Sequence, residues 1–293
     1  MRNILYYIYL SLCLDWALVV NPFFRRITTK DKAELMVKKY LYFLLIILGL
    51  KKVILGKTYI SLFGQELHAS EFGLERFQTA LIKQGEFLSM FDTKEVATVI
   101  DIGANIGNVS LAVSKLFPDA KIYAIEPVFD IYKILKKSTT KHLNIYTFPL
   151  AISNNSKSVT MLYNKKLPEG SLVMNNSVSF KGKKIHVKAL TLDSFIKQNH
   201  IKQIDYLKID VESFEKNVLQ GAHESLGDVH YLCLEIQATD YTDYTFSELV
   251  GMLYGKNYNF QLLKFHEYPT NLKKTFTLAD CLFENIKFKQ KKT

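Results

Sequence analysis

Residues 97–107, Ala97-Thr98-Val99-Ile100-Asp101-Ile102-Gly103-Ala104-Asn105-Ile106-Gly107, pass from an apolar β-type run into a glycine turn. The run beginning Asn108-Val109-Ser110-Leu111-Ala112-Val113 reads as a helix whose N-terminus faces that turn, and Ile122-Tyr123-Ala124-Ile125 reads as the next strand. Pro127 stops the second strand by removing a backbone donor. Strand, tight turn, helix and strand in that order make a βαβ unit, so the chain is bound to a parallel sheet. Glu126 closes the second strand nineteen positions after Gly107. In nucleotide-binding units of this kind an acid about 20 residues beyond the glycines receives the ribose hydroxyls.

The glycine spacing narrows the ligand. A dinucleotide fingerprint reads G-x-G-x-x-G, and its second glycine admits a pyrophosphate. Here Asn105 stands at that position, between Gly103 and Gly107, and Asp101 precedes the turn. The resulting D-x-G-x-x-x-G suits a nucleoside ligand with a cationic centre and an amino group, of which S-adenosylmethionine is an example.

Alternation continues along the chain. Strand 96–102, helix 108–117, strand 121–126, helix 129–138 and strand 144–148 give β-α-β-α-β. A polar stretch, 153–184, holds a short strand at 158–163 and a loop. Strand 185–190, helix 192–199 started by Thr191, core strand 204–209 and helix 211–220 follow, with Gly221 as a C-terminal cap signal. Strand 230–236, helix 246–254 and strands 259–264 and 275–283 complete the domain, predicting a seven-stranded, mostly parallel sheet whose final pair forms a hairpin. Asp101, Glu126, Asp210 and Glu235 fall at carboxyl ends of strands, where open α/β sheets bind ligands.

Charge separates the ends from the body. The net charge is +10; residues 1–57 carry ten Lys/Arg against three Asp/Glu (+7) and residues 286–293 four lysines (+4), which leaves −1 for the rest. A body near neutral has no electrostatic footprint for nucleic acid, and no nucleic-acid partner is expected. Cys13, Cys233 and Cys281 lack C-x-x-C spacing and the seven histidines form no local pair, so neither a disulfide framework nor a metal motif is indicated.

Residues 1–57 are a basic, apolar, helical appendage without motifs. Its apolar stretches, 4–20 and 40–50, fall short of the roughly 20 residues a span requires, and Asp15 interrupts the first. Lys38-Lys39 and Lys51-Lys52 flank the second, which suits a helix lying on an anionic membrane surface. A helical cap on the main domain and a transmembrane anchor are the competing readings. Residues 20–25 lack the small-residue site of a cleaved signal peptide, so the expected location is cytoplasmic, peripheral at the membrane if the appendage binds lipid.

Four blocks together resemble a family. Val99 to Asn108, Ala124-Ile125-Glu126-Pro127, Leu190-Thr191-Leu192-Asp193-Ser194-Phe195, and Ile204-Asp205-Tyr206-Leu207-Lys208-Ile209-Asp210-Val211-Glu212 with Glu215, Leu219 and Gly221-Ala222 are similar to the FkbM-type methyltransferases, over about residues 56–285. The resemblance implies a class I, Rossmann-like fold over 58–285 between the appendage and the basic tail, S-adenosylmethionine as methyl donor, and O-methylation of hydroxyls, often on sugars or polyketide-like metabolites. Asp101 is then expected at the methionine portion, Glu126 at the ribose, the backbone of Gly103, Ala104, Asn105 and Gly107 at the carboxylate end, and Ala151 and Ile152 beside the adenine. Asp210 and Glu212 are the acceptor-side groups, either of which can take the hydroxyl proton. Metal ligation with Glu235, or a helix cap by Asp210, are their other readings. Lys208 pairs with one of these acids or faces solvent, and His266 reads as a loop histidine, a base or ordinary surface. Where the family usually has glycine this chain has Ser213, which narrows the acceptor pocket or caps locally. A nucleic-acid methyltransferase and a non-catalytic membrane-tethered scaffold of the same fold are the alternative functions.

Overall fold

The computed structural model describes residues 95–163, 171–173, 182–237, 242–254, 258–267 and 278–291, the paired strands 59–62 and 65–68, and isolated positions between 12 and 48. The sequence also predicts a helix over 71–91 leading into the first core strand, and that stretch lies outside the described residues. In chain order the strands are β1 (Tyr59–Leu62), β2 (Gln65–His68), β3 (Thr98–Ile102), β4 (Lys121–Ile125), β5 (Ile145–Phe148), β6 (Ala151–Ile152), β7 (Ser158–Tyr163), β8 (Ser171–Val173), β9 (Lys183–Leu190), β10 (Ile204–Ile209), β11 (Val229–Gln237), β12 (Phe260–Glu267) and β13 (Leu278–Asn285). The described α-helices between them are α1 (Asn108–Leu116), α2 (Phe129–Thr139), α3 (Leu192–Gln198), α4 (Glu215–Gln220) and α5 (Phe246–Leu253).

Seven strands form the main sheet in the order β12-β13-β11-β10-β3-β4-β5. Strands β3, β4, β5, β10 and β11 pair in parallel, and β13 runs against both β11 and β12. The single reversed strand follows from the hairpin β12–β13, whose second arm inserts beside β11. Ile100, Ile102, Leu207, Ile209, Leu232 and Leu234 are fully buried, the continuous apolar composition of strands covered on both faces.

Strand 185–190 does not extend this sheet. It belongs to β9, which pairs with β6 and β7 in a separate four-stranded sheet ordered β6-β9-β7-β8. Thr191 caps α3 by accepting from the Ser194 amide at 3.1 Å, as its position before the helix predicts. Gly221 is the C-cap just after α4 but has an ordinary φ of −86°, so no left-handed cap forms. Its missing side chain serves packing, since a Cβ there would run into the Ser153 carbonyl. Among the described residues no helix is long and apolar enough to cross a membrane.

Candidate active site

The turn after β3 packs directly on the loop after β10. Gly103 has φ +80°, and a Cβ on it would collide with the Asp210 carbonyl; the Asp210 amide donates to the Ile102 carbonyl at 3.1 Å. Gly107 has φ +98° and faces Leu135 of α2. Both glycines are therefore demanded by backbone conformation and protein contacts. Asn105, at φ +51°, adopts the left-handed conformation that asparagine tolerates. The turn's amides are all committed: those of Gly103 and Ala104 to the Ile125 carbonyl, Asn105 to Glu126, Ile106 to the Asn105 side chain, and Gly107 to the Ala104 carbonyl. Helix α1 begins just beyond, with no side-chain cap and no acid in its first turn, and the Ser110 hydroxyl in that turn donates to the Asp101 carboxylate.

Glu126 is buried at the tip of β4. Its Oε2 accepts from Asn105 N–H at 3.1 Å and its Oε1 from Val128 N–H at 2.8 Å, which leaves further lone pairs on both oxygens for hydroxyl donors. Burial pushes its carboxyl up to about 7, against the lowering effect of the two amides and with help from the neighbouring Asp101 and Asp210 charges. Asp101 has no solvent exposure; Oδ2 accepts from Ser110 Oγ at 2.7 Å, while Oδ1 has no hydrogen bond and lies 3.6 Å from Lys208 Nζ.

Lys208 sits beside Asp101 in the β3–β10 ladder and donates to Asp210 Oδ2 at 3.0 Å. It pairs with both acids instead of facing solvent, so one ammonium joins the glycine-turn strand to the loop after β10. Burial disfavours its charge, but Asp210, Asp101 and Glu235 together outweigh burial and hold its proton more firmly than usual.

The helix expected from residue 211 starts only at Glu215. Residues 211–214 form a turn in which Glu212 and Ser213 have φ of +53° and +74°, so Asp210 caps no helix. Glu215 Oε1 accepts from the amides of Val211 and Ser213 at 3.2 and 3.3 Å, and its Oε2 accepts from Tyr244 Oη at 2.5 Å. Burial pushes the Glu215 carboxyl up to about 7, opposed by these hydrogen bonds. Ser213 Oγ donates to Gln237 Oε1 at 2.9 Å, and Gln237 Nε2 donates to Glu212 Oε2 at 2.9 Å. Sequence reasoning missed Gln237 and Tyr244; Glu215 was visible only as a member of the resemblance block.

Ala151 and Ile152 form β6 and are buried in the core. His266 belongs to β12 and not to a loop, in register with Asp280, which itself pairs with Glu235. Among the described residues no group of three or more His, Cys, Asp or Glu is arranged to hold a metal ion.

The strand order with its one reversed member, the acid at the tip of β4 and the acid after β10 define a class I S-adenosylmethionine-dependent methyltransferase domain. More narrowly, the chain belongs to the methyltransferase FkbM domain family, whose profile matches residues 101–262. It is similar to methyltransferase sdnD of Sordaria araneosa, 26% identical over 156 residues covering 43% of this chain and 60% of that protein. The hexuronic acid methyltransferase AglP of Haloferax volcanii is 23% identical over 152 residues, 52% of this chain and 60% of that protein. The chain thus spans about 60% of the length of these two curated relatives. Among solved structures, Aeropyrum pernix fibrillarin with bound S-adenosyl-L-methionine aligns with a TM-score of 0.41 at 14% identity, covering 70% of this chain and 73% of that one.

Proposed function

We propose that this chain is an S-adenosylmethionine-dependent O-methyltransferase acting on a hydroxyl of a carbohydrate, glycolipid or related metabolite. The observation that carries the reading is the Asp101–Lys208–Asp210 bridge, which ties the cofactor side to the acceptor side. The residues fit the cofactor: Asp101 Oδ1 lacks a hydrogen bond close to the turn, and Glu126 keeps acceptor capacity for two hydroxyls. The bound cofactor supplies an electrophilic methyl on a sulfonium. Glu126 orients the ribose, and the turn carrying Gly103, Ala104, Asn105 and Gly107, with the N-terminus of α1 just beyond it, lies at the carboxylate end.

On the acceptor side the two acids differ. Asp210 Oδ2 is engaged by the Lys208 ammonium at 3.0 Å, and Glu212 Oε2 accepts from the Gln237 amide at 2.9 Å. In this reading Glu212 takes the proton from the acceptor hydroxyl as its oxygen attacks, while Asp210 stays engaged with Lys208. The hexuronic acid methyltransferase among the relatives favours a sugar acceptor. Methyl transfer to a uronic-acid disaccharide, followed by mass spectrometry, tests the reading: Glu212→Gln is expected to lower kcat by about 10²-fold or more, and unchanged transfer would contradict the assignment.

The membrane-surface reading of the appendage is part of the proposal. Val37, Leu41, Leu44 and Leu48 are all more than half exposed, and lysine pairs flank the stretch in sequence. A lipid surface would cover such side chains and bring the site to a lipid-linked acceptor.

A further inference from the structure

Two consecutive non-glycine residues in the left-handed region, Glu212 at φ +53° and Ser213 at φ +74°, are costly and persist only where surroundings hold them. Three groups hold them here. Glu215 collects the amides on either side of Glu212 through one carboxylate oxygen, and Tyr244 fixes the other oxygen. Gln237, the last residue of β11, bridges the two strained residues from the sheet. The direction of that bridge is dictated by chemistry. An ionised Glu212 can only accept, so the amide presents Nε2 to it, and the remaining Oε1 needs a donor, which the Ser213 hydroxyl supplies. A glycine or alanine at 213 leaves Oε1 without that donor.

We infer that Ser213 and Gln237 are positioning residues, which lock the amide and through it hold the Glu212 carboxylate in place for the acceptor hydroxyl. The inference deepens the acceptor-side reading above and rests on it. The strain at 213 is the cost of placing a hydroxyl there, because glycine would adopt φ +74° without penalty.

Ser213→Ala and Ser213→Gly separate positioning from folding, since both delete the hydroxyl and only alanine keeps the strain. The expected result is a similar fall in kcat of about 10- to 100-fold in both variants on the uronic-acid disaccharide. The Kd for S-adenosylmethionine should stay within about twofold of the parent in each, because no cofactor contact changes. The glycine variant should melt about 2–4 °C above the alanine variant. Transfer that follows stability, impaired in Ser213→Ala and intact in Ser213→Gly, would overturn the inference. A second arm needs no acceptor. Side-chain amide NMR of the full-length protein should find the two Gln237 NH2 signals displaced in Ser213→Ala; a pair unmoved by the substitution would also overturn it. If the NMR arm holds while Glu212→Gln leaves transfer intact, it is the base assignment that fails, and with it the purpose given to the clamp.

Discussion

At the scale of single residues, Glu126 carries the most distinctive electrostatics. Its carboxyl sits at about 7 because it is buried, yet ribose hydroxyls need an acceptor and bind the ionised form better. Binding of S-adenosylmethionine near pH 7 should therefore release about half a proton. Titration calorimetry in buffers of different ionisation enthalpy reads this directly, and a heat independent of buffer would argue against ribose binding by Glu126. Gly103 makes a second residue-scale test. Gly103→Ala forces a Cβ against the Asp210 carbonyl at φ +80°, and should cost about 2–3 kcal/mol in urea denaturation without changing the slope. Gly227, where a Cβ meets nothing within 4 Å, should accept alanine at less than about 0.5 kcal/mol. Glycines 103 and 107 are legible in the sequence as a turn. That their reason is contact with the 210 loop and α2 is not, because those partners lie far along the chain.

Between elements, the β3–β10 ladder and the loop after β10 decide the site. Lys208 is nearly buried between Asp101 and Asp210, and Lys208→Met would strand the wholly buried Asp101 charge at about 3–5 kcal/mol. The double variant Asp101→Asn, Lys208→Met should recover part of that loss, measured as a shift of the urea midpoint; strict additivity would deny the pairing. The carboxyls of Glu126 and Glu215 both lie at about 7 in the fold, above the ordinary 4.5. Each favours the fold fully below about 4.5, and that contribution disappears as pH rises through about 7. Glu215→Gln, which keeps an acceptor for the Val211 and Ser213 amides, should flatten the fall of Tm across this window; an unchanged slope would place the charge elsewhere. The parallel core strands are legible because burial on both faces makes them continuous apolar runs. The 211–214 turn is not, since its apolar and acidic residues fit a helical pattern and only the contacts of Glu215 and Gln237 pull it out of one. β9 illustrates the same limit: its sequence reads as a strand, but nothing local assigns it to a second sheet.

For the whole molecule, charge separates a near-neutral body from basic ends. If the appendage seats the site at a lipid surface, the full chain should float with anionic vesicles, and serine at Val37, Leu41, Leu44 and Leu48 together should abolish flotation. Equal flotation of both proteins would remove the appendage from the account. The central claim is that this fold moves a methyl group from S-adenosylmethionine to a sugar hydroxyl, and labelled methyl transfer into a glycan extract from cells lacking the protein tests it most directly. Label is expected in an O-methyl sugar with the parent chain and is expected to be lost with Glu126→Ala or Glu212→Gln. Label recovered on an amine or in nucleic acid, or in equal amount from both variants, would contradict it.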